Sequence, residues 1–271
     1  MAIPHKKTDT GKFPTIIANH GFHPDPPRYG ITAEGVTHRP GDYYRQIPEV
    51  FTREGFLVVM PDYRGHNSSE GSEFTHGFIA TNYYTQDVLA LLNDIDVIDQ
   101  VDPGNIFMWG HSMGGEVSLR SLLATSRVKA ASLWATAGAT IWEQAYFYSR
   151  HQERLITPDS HEHLKKSVNN LKDDLSVFRL DFDWDSTEPF FHLQYLHTPL
   201  IIHHSIGDTG THYEWSARLA SSLARYDKQY QFYSYDSKEH LFKGRNLENA
   251  VARDVAFFRS FITSNSAGPD K

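Results

Sequence analysis

Short apolar segments alternate with longer amphipathic segments along this chain. Six short segments, most of them apolar at consecutive positions, are predicted to be strands: Pro14–Asn19, Phe56–Pro61, Asn105–Gly110, Ala130–Ala135, Leu200–His204 and Tyr230–Tyr235. Five longer segments are predicted to be helices: Asp42–Glu54, Asn82–Ile98, Met113–Thr125, Tyr213–Arg225 and Asn246–Ile262. Buried apolar strands joined by helices form a mostly parallel central sheet flanked by helices, so the pattern predicts an α/β fold.

The segment from about Ile141 to Tyr195 breaks this alternation. It contains helical patches and many aromatic residues, and it is too long for a simple connection between two elements. We interpret this segment, residues 141–195, as a helical cap inserted before the fifth predicted strand. A length of 271 residues fits one large α/β domain better than two small ones, so residues 1–271 are predicted to form a single domain that carries this cap.

Charge and composition exclude several classes of function. The formal net charge is −7 and no cluster of Lys and Arg stands out, so a nucleic-acid partner is not expected. No apolar run approaches the roughly 20 residues that span a bilayer, so no membrane span is predicted. The chain has no cysteine, which excludes disulfides, thiolate metal ligands and a cysteine nucleophile.

Three alternating aspartates at residues 181, 183 and 185 superficially resemble a calcium-binding loop. The sixth position of that loop lacks the required glycine, and His192 replaces the glutamate of the twelfth position. We therefore predict no metal site and no cofactor.

The sequence GHSMG at residues 110–114 has the form G-x-S-x-G and lies between a predicted strand and a predicted helix. In that context the pattern is typical of a nucleophilic serine on a tight strand-to-helix turn. Such a turn brings the backbone close on both sides of the serine, and Gly110 and Gly114 have no Cβ atom to clash. An alternative is an ordinary turn that uses glycine for packing, with Ser112 incidental. The flanking strand and helix favour Ser112 as the nucleophile.

A serine hydroxyl needs a general base, and that base needs a third group to fix its tautomer. Asp208 follows the fifth predicted strand by a short loop, and His240 follows the sixth. The carboxyl ends of parallel strands meet at one edge of a sheet, where these folds bind ligands. The chain order Ser112, Asp208, His240 therefore predicts a catalytic triad at that edge.

The chain has 16 histidines, and position along the chain separates His240 from the others. His203 and His204 lie within the fifth predicted strand, so we predict that they are core or edge residues. His161 and His163 lie in the cap and are predicted to be solvated. The position of His240, in the loop after the sixth predicted strand, favours it as the general base.

Two backbone N–H groups are needed to hold the negative charge that develops on the substrate oxygen. We assign them to Met113, which opens the helix after the nucleophile, and to Phe22, which follows the first strand. The dipeptide His20-Gly21 before Phe22 also fits a second interpretation, namely a tight turn that simply ends the strand.

Five blocks carry a family resemblance: NHGF, MPDYRGHNSSEG, MWGHSMGG, PLIIHHSIGD and YSYDSKEHLF. In this order they resemble the prolyl-oligopeptidase-like branch of α/β-hydrolases, which includes peptidases, acyl-peptide hydrolases and esterases related to dienelactone hydrolases. The resemblance implies an α/β-hydrolase fold with an eight-stranded, mostly parallel sheet. It also implies the triad Ser112, Asp208 and His240, with Phe22 and Met113 as oxyanion donors.

The chain departs from the family pattern at two places. Asn67 stands where the family usually has a glycine, and Asn tolerates the same left-handed backbone. The opening residues AIPH resemble a strand within an N-terminal hairpin, so we expect either a truncated chain or a lost edge strand. For this reason we leave localisation open, with a cytoplasmic protein expected if Met1 is the natural start and an exported one if the chain is trimmed.

Three functions are compatible with the triad. A carboxylic-ester hydrolase comes first, because family peptidases carry a large extra domain for which 271 residues leave no room. A peptidase or acyl-amino-acid hydrolase of short substrates is the alternative, and a non-catalytic binding protein is the third. Trp142, Tyr146 and Tyr148 are candidate contacts for an apolar substrate, although they also fit a role in the core of the cap. The oligomeric state is not predicted by the sequence.

Overall fold

The computed structural model describes residues 1–5, 8–22, 42–66, 69–71, 73, 80–140, 143–144, 147 and 184–263. The described residues form one sheet of six strands: β1 (Phe13–Asn19), β2 (Leu57–Val59), β3 (Val101–His111), β4 (Ala131–Trp134), β5 (Leu200–Ser205) and β6 (Tyr230–Tyr235). The strand order is β2-β1-β3-β4-β5-β6, and every pair of neighbours is parallel. The predicted mostly parallel sheet is thus confirmed.

Within the described residues, five α-helices connect or follow these strands: α1 (Asp42–Arg53), α2 (Ala80–Asp94), α3 (Met113–Ala124), α4 (Tyr213–Arg225) and α5 (Gly244–Arg259). The predicted bounds of α4 and β6 are confirmed to the residue. Helix α2 ends at Asp94 instead of Ile98, because residues 95–97 tighten into a 3₁₀ turn. Helix α5 begins at Gly244 and ends at Arg259, so the predicted last turn to Ile262 is wrong.

Strand β3 is longer than the sequence indicated. Val101 already pairs with Phe13, and regular pairing resumes at Ile106 opposite Thr15. The residues between these two points bulge out of the register, because DPG at 102–104 favours a turn over an extended strand. The predicted start at Asn105 therefore marks the end of the bulge rather than the first pairing.

The family resemblance implied eight strands, whereas the described residues form six. At the β2 edge of the sheet, Ala2 makes one isolated antiparallel bridge with Val58. Its N–H and C=O exchange hydrogen bonds of 2.8 and 2.9 Å with the backbone of Val58. Ala2 thus pairs with the edge strand β2.

The sheet separates two apolar cores, because successive side chains of a strand point to opposite faces. In β1, Ile17 belongs to the core covered by α2, α3 and α4, and Ile16 belongs to the core covered by α1 and α5. Both side chains are fully buried. Helices on both faces leave the carboxyl edge of the sheet as the place where its loops can form a site. Within the described part of the chain, no helix has the length and apolar character needed to cross a membrane.

The end of the predicted cap forms two short 3₁₀ helices, Trp184–Thr187 and Pro189–Tyr195. The second contacts α3 and α4, and Pro189 and Leu193 within it are buried. Several residues singled out by the sequence lie outside the described residues: Asn67, Trp142, Tyr146, Tyr148, His161, His163, Asp181 and Asp183.

Candidate active site

Four loops converge at the carboxyl edge of the sheet. They follow β1, β3, β5 and β6, and because all four strands are parallel their ends lie on the same side. These loops carry Gly21, Ser112, Asp208 and His240, respectively. All four loops therefore lie at the same edge of the sheet, and a catalytic triad at this edge remains our prediction.

Ser112 occupies a strained backbone conformation between β3 and α3. Its φ is 56° and its ψ is −125°, a region that L residues rarely adopt and that costs about 1–3 kcal/mol. Three backbone hydrogen bonds hold the residue there: its N–H donates to Trp134, and its carbonyl accepts from Gly115 and Ala137, at distances of 2.9–3.0 Å. Such a strained serine between a strand and a helix is the geometry of a nucleophile elbow.

The glycines on either side of Ser112 are required by close backbone contacts. A Cβ atom on Gly114 would lie 2.0 Å from the carbonyl oxygen of Asn19. A Cβ atom on Gly110 would lie 2.3 Å from Ser118 Oγ and 2.5 Å from the carbonyl oxygen of Gly114. The steric reason for glycine that the sequence motif suggested is therefore confirmed.

The loop after β1 lies close to Ser112. A Cβ atom on Gly21 would lie 3.0 Å from Cβ of Ser112, and Gly21 itself is buried. The next residue, Phe22, is 66% exposed, so it adds little to the core. Met113 is the first residue of α3, where backbone N–H groups have no partner within the helix. Both assigned oxyanion donors thus neighbour Ser112 or Gly21.

Asp208 and His240 form a hydrogen-bonded pair. The Nδ1 atom of His240 lies 2.8 Å from Oδ2 and 3.1 Å from Oδ1 of Asp208. A carboxylate can only accept, so Nδ1 carries the hydrogen, and Nε2 of the neutral ring is left as a proton acceptor. The Asp208 side chain is fully buried, whereas the His240 side chain is 25% exposed. One end of the imidazole is thus fixed and the other is available for a proton.

Asp208 also receives hydrogen bonds from its own loop and from β5. The N–H of Gly210 donates to Oδ1 at 2.7 Å, and the hydroxyl of Thr211 donates to Oδ2 at 3.2 Å. The Nε2 atom of His204 lies 3.3 Å from Oδ2. Burial raises the pKa of Asp208, but the hydrogen bonds from His204 and His240 outweigh burial and hold this pKa well below its usual range. The carboxylate is therefore ionised at neutral pH.

The loops of the acid and the base are tied to each other. The hydroxyls of Ser205 and Ser237 lie 2.7 Å apart, and the N–H of Gly207 donates to the carbonyl of Ser237 at 2.8 Å. The N–H of Ile206 donates to the carbonyl of Tyr235 at 2.9 Å, which extends the β5–β6 pairing past both strand ends. These bonds fix the distance between the two loops before any substrate is present.

The loop of His240 is hydrogen-bonded to His111, the residue that precedes Ser112. The Nε2 atom of His111 lies 2.8 Å from the carbonyl oxygen of His240, and the two ring centroids are 4.5 Å apart. On its other side, the His240 ring lies against Gly210, where a Cβ atom would come within 2.6 Å of Cγ and Nδ1. The structure thus brings the base loop to the elbow that carries Ser112.

Sequence reasoning missed three residues of this site. His204 was predicted to be a core or edge residue; it is buried as expected, but it also contacts the acid. Gly210 and His111 carried no recognisable signal, although His111 is the variable position of the G-x-S-x-G motif. All three lie within four residues of a predicted triad member, and closeness to that residue was the only available signal.

A strained serine and a hydrogen-bonded aspartate–histidine pair at the carboxyl edge of a parallel sheet flanked by helices define a serine hydrolase of the α/β-hydrolase fold. Comparison with known proteins narrows this class, because a model of the prolyl oligopeptidase family matches residues 42–265. The chain belongs to the prolyl oligopeptidase family.

Three known proteins illustrate how similar this chain is to others. Prolyl endopeptidase FAP of Mus musculus is 24% identical over 264 residues, which are 95% of this chain and 30% of that protein. Lysophosphatidylserine lipase ABHD12 of Danio rerio is 36% identical over 80 residues, which are 30% of this chain and 19% of that protein. Acylaminoacyl peptidase of Pyrococcus horikoshii has the same fold, with a TM-score of 0.67 and 18% identity over 99% of this chain and 40% of that one. The chain spans less than half the length of each.

These findings bear on whether the substrate of this chain is an ester or a peptide. The matching family is named for an oligopeptidase, and the relative that matches 95% of the chain is an endopeptidase. They favour the peptidase alternative over the ester hydrolase that the sequence analysis placed first.

Proposed function

We propose that this chain is a serine peptidase that hydrolyses short peptides or N-acylated amino acids through an acyl-enzyme intermediate. The observation that carries the proposal is the hydrogen-bonded Asp208–His240 pair, whose loop is linked by His111 to the turn of the strained Ser112. Membership of the prolyl oligopeptidase family supports a peptide as the substrate.

In the first half of the reaction, the Ser112 hydroxyl attacks the scissile carbonyl carbon. The Nε2 atom of His240 takes the proton of the hydroxyl, and the ionised Asp208 stabilises the imidazolium that forms. The carbonyl oxygen becomes an oxyanion, and the N–H groups of Met113 and Phe22 donate to it. His240 then gives its proton to the leaving nitrogen, the carbon–nitrogen bond breaks, and the acyl group remains as an ester of Ser112.

In the second half, water replaces the leaving amine. His240 takes a proton from the water, and the resulting hydroxide attacks the acyl carbon. The ester bond to Ser112 breaks, the serine oxygen recovers the proton from His240, and a carboxylic acid leaves. The same groups thus serve both halves, with His240 acting first as a base and then as an acid in each.

Ester hydrolysis is the second candidate, and one observation favours it. The stretch that matches the zebrafish lipase is more similar, at 36% identity, than the longer match to the endopeptidase at 24%. The acyl-enzyme chemistry is the same for both bonds, so the candidates differ only in the leaving group. A cap over residues 141–195 of a single domain, with Trp142, Tyr146 and Tyr148 as contacts, remains our prediction for how the substrate is selected.

The test compares amide and ester substrates that share an acyl group. Purified protein is assayed with aminoacyl and N-acetyl-aminoacyl p-nitroanilides and with the matching p-nitrophenyl esters. We expect both to be cleaved, with kcat/KM for the best anilide well above its background in Ser112→Ala. Covalent labelling of Ser112 by a fluorophosphonate probe checks the nucleophile independently.

Two outcomes would contradict the proposal. Ester cleavage that depends on Ser112, without cleavage of any anilide, would establish the esterase candidate instead. Failure of the folded protein to react with the probe or with either substrate class would favour a non-catalytic binding protein on this fold.

A further inference from the structure

A continuous path of hydrogen bonds joins the loop after β1 to the loop that carries the base. The N–H of Gly21 donates to the Tyr44 hydroxyl oxygen at 2.8 Å. The Tyr44 hydroxyl is hydrogen-bonded to Nδ1 of His111, and Nε2 of His111 lies 2.8 Å from the carbonyl oxygen of His240. Three segments far apart in sequence are thereby linked through two side chains.

The direction of each bond in this path follows from the chemistry of its atoms. A carbonyl oxygen can only accept, so Nε2 of His111 carries the hydrogen that it shares with His240. In a neutral imidazole the other nitrogen is then an acceptor, and it accepts from the Tyr44 hydroxyl. The Tyr44 oxygen in turn accepts from the N–H of Gly21. Only one tautomer of His111 satisfies all three bonds.

The interior of the protein holds the path in this state. His111 is fully buried and Tyr44 is 2% exposed. Burial, together with the nearby His240, lowers the pKa of His111 well below its usual value, which keeps the ring neutral. The ring of His111 is stacked on that of Trp109 and meets Tyr44 edge to face, with centroids 6.2 and 5.5 Å apart. Neither side chain of the path can turn away without breaking these contacts.

We propose that His111 is a positioning residue that fixes the loop of the base to the loop of the oxyanion site. It acts through the carbonyl of His240 at one end and through Tyr44 and Gly21 at the other, and it touches no reacting atom. This inference rests on the proposed function, because it assigns His111 a role in placing the machinery of that reaction.

The proposed reaction depends on the alignment of His240 with Ser112. A Cβ atom on Gly21 would lie 3.0 Å from Cβ of Ser112, and in the proposed reaction His240 must reach the hydroxyl of the same serine. Displacing a catalytic group by about 1 Å can lower the rate about 100-fold. A loop anchored by its own carbonyl next to the catalytic ring cannot shift by that distance while the bond to His111 persists.

The experiment compares replacements of His111 and Tyr44 that keep or remove individual hydrogen bonds of this path. In His111→Gln the side-chain amide nitrogen replaces Nε2 and can still donate to the carbonyl of His240. In His111→Asn the amide replaces Nδ1 and can still bond to Tyr44, but it cannot reach His240. His111→Phe keeps the ring and removes both bonds. Tyr44→Phe removes the oxygen that joins Gly21 to His111.

We expect His111→Phe and His111→Asn to lower kcat about 10- to 100-fold with KM nearly unchanged, because alignment rather than substrate affinity is lost. His111→Gln should recover most of that loss. Tyr44→Phe should lower kcat as well, and the double variant with His111→Phe should be little worse than His111→Phe alone, because the two residues act in one path. Rates are expressed per active site titrated with the fluorophosphonate.

A matched control is another buried histidine with both nitrogens bonded. His203 is fully buried, and it is hydrogen-bonded to Tyr235 and Asp254 on the face of the sheet that α1 and α5 cover. His203→Gln should lower the melting temperature while kcat per active site stays at the wild-type value. This separates a general loss of stability from the effect expected at His111.

Equal kcat values in His111→Gln and His111→Asn, whether high or low, would overturn the inference, and this comparison stands even if His111→Phe does not fold. Ser112→Ala in the same assay keeps the two proposals apart. If Ser112→Ala retains activity, the proposed function fails; if it is inactive while both amide variants are equally active, only the role of His111 fails.

Discussion

The imidazole of His240 lies directly on the backbone of Gly210. A Cβ atom at residue 210 would come within 2.6 Å of two ring atoms of His240. The N–H of the same glycine donates to Oδ1 of Asp208 at 2.7 Å. Gly210 thus donates a hydrogen bond to Asp208 and also limits the position of the His240 ring.

We expect Gly210→Ala to lower kcat about 10- to 100-fold, because the new methyl group pushes the His240 ring away from Ser112. The fold should persist, since the residue lies in a loop at the edge of the sheet. Steady-state kinetics and thermal unfolding measure the two effects separately. Thr209→Ala, a change to an exposed neighbour in the same loop that adds no atoms, is the control and should retain full activity. Wild-type kcat in Gly210→Ala would show that the ring has room to move without loss.

Ser112→Ala and His240→Ala should each lower kcat by about 10⁴–10⁶-fold. The double variant should be little worse than either single variant, because a base has no function without the hydroxyl that it activates. Single-turnover and steady-state assays of all three variants, each checked for folding by circular dichroism, measure this. Losses that multiply in the double variant would mean that the two residues do not act as a unit.

Asp208→Asn should lower kcat about 10³–10⁴-fold, less than removal of the serine. The amide cannot stabilise an imidazolium, and it favours the wrong tautomer of His240. Kinetics with the best substrate measure the loss. Activity near that of the wild type would place the acid elsewhere, with Asp181, Asp183 and Asp185 as the candidates from the sequence.

The same substitution should also change how stability depends on pH. The pKa of Asp208 is lowered in the folded state, so the unfolded chain binds its proton at a higher pH than the folded chain. The stabilisation from the carboxylate is therefore complete above the unfolded value of about 4 and is lost as the pH falls from there towards the folded value. Urea unfolding at several pH values should show the wild type losing its advantage over Asp208→Asn as the solution is acidified. A difference that stays constant down to pH 3 would contradict this.

Much of the fold and of the proposed triad could be predicted from sequence because both depend on local patterns. The apolar runs of β1 and β5 and the glycines around Ser112 are local, and parallel strands then bring distant loops to one edge. The support of the triad could not be predicted, because it depends on side-chain directions. His203 and His204 are adjacent in β5, yet their side chains point to opposite faces of the sheet. His203 therefore bonds to Asp254 of α5, whereas His204 bonds to Asp208. An alternating strand fixes this difference only once its register is known.

A buried ionic cluster joins α3, which begins at the nucleophile, to the end of the predicted cap. The Arg120 guanidinium lies 2.8 Å from Glu116 and 3.4 Å from Glu188, and the three side chains are 9%, 3% and 1% exposed. Arg120 also donates to the carbonyl of Thr187, and Glu116 accepts from Gln144 near the start of the cap segment. Arg120 thus neutralises buried carboxylates, and together with Glu116 it links α3 to residues near both ends of the segment predicted to be the cap.

Removing this arginine should destabilise the protein far more than an exposed ion pair would. We expect Arg120→Met to lower the free energy of unfolding by about 3–5 kcal/mol, because Glu116 and Glu188 are left buried without their cation. Adding Glu116→Gln should restore part of the loss, since one uncompensated charge is then removed. Arg53→Met is the control, because its ion pair with Glu49 is 69% and 53% exposed and should contribute little. Urea unfolding of the four proteins measures these differences, and an equal, small effect of Arg120→Met and Arg53→Met would show that the buried cluster does not hold the cap to α3.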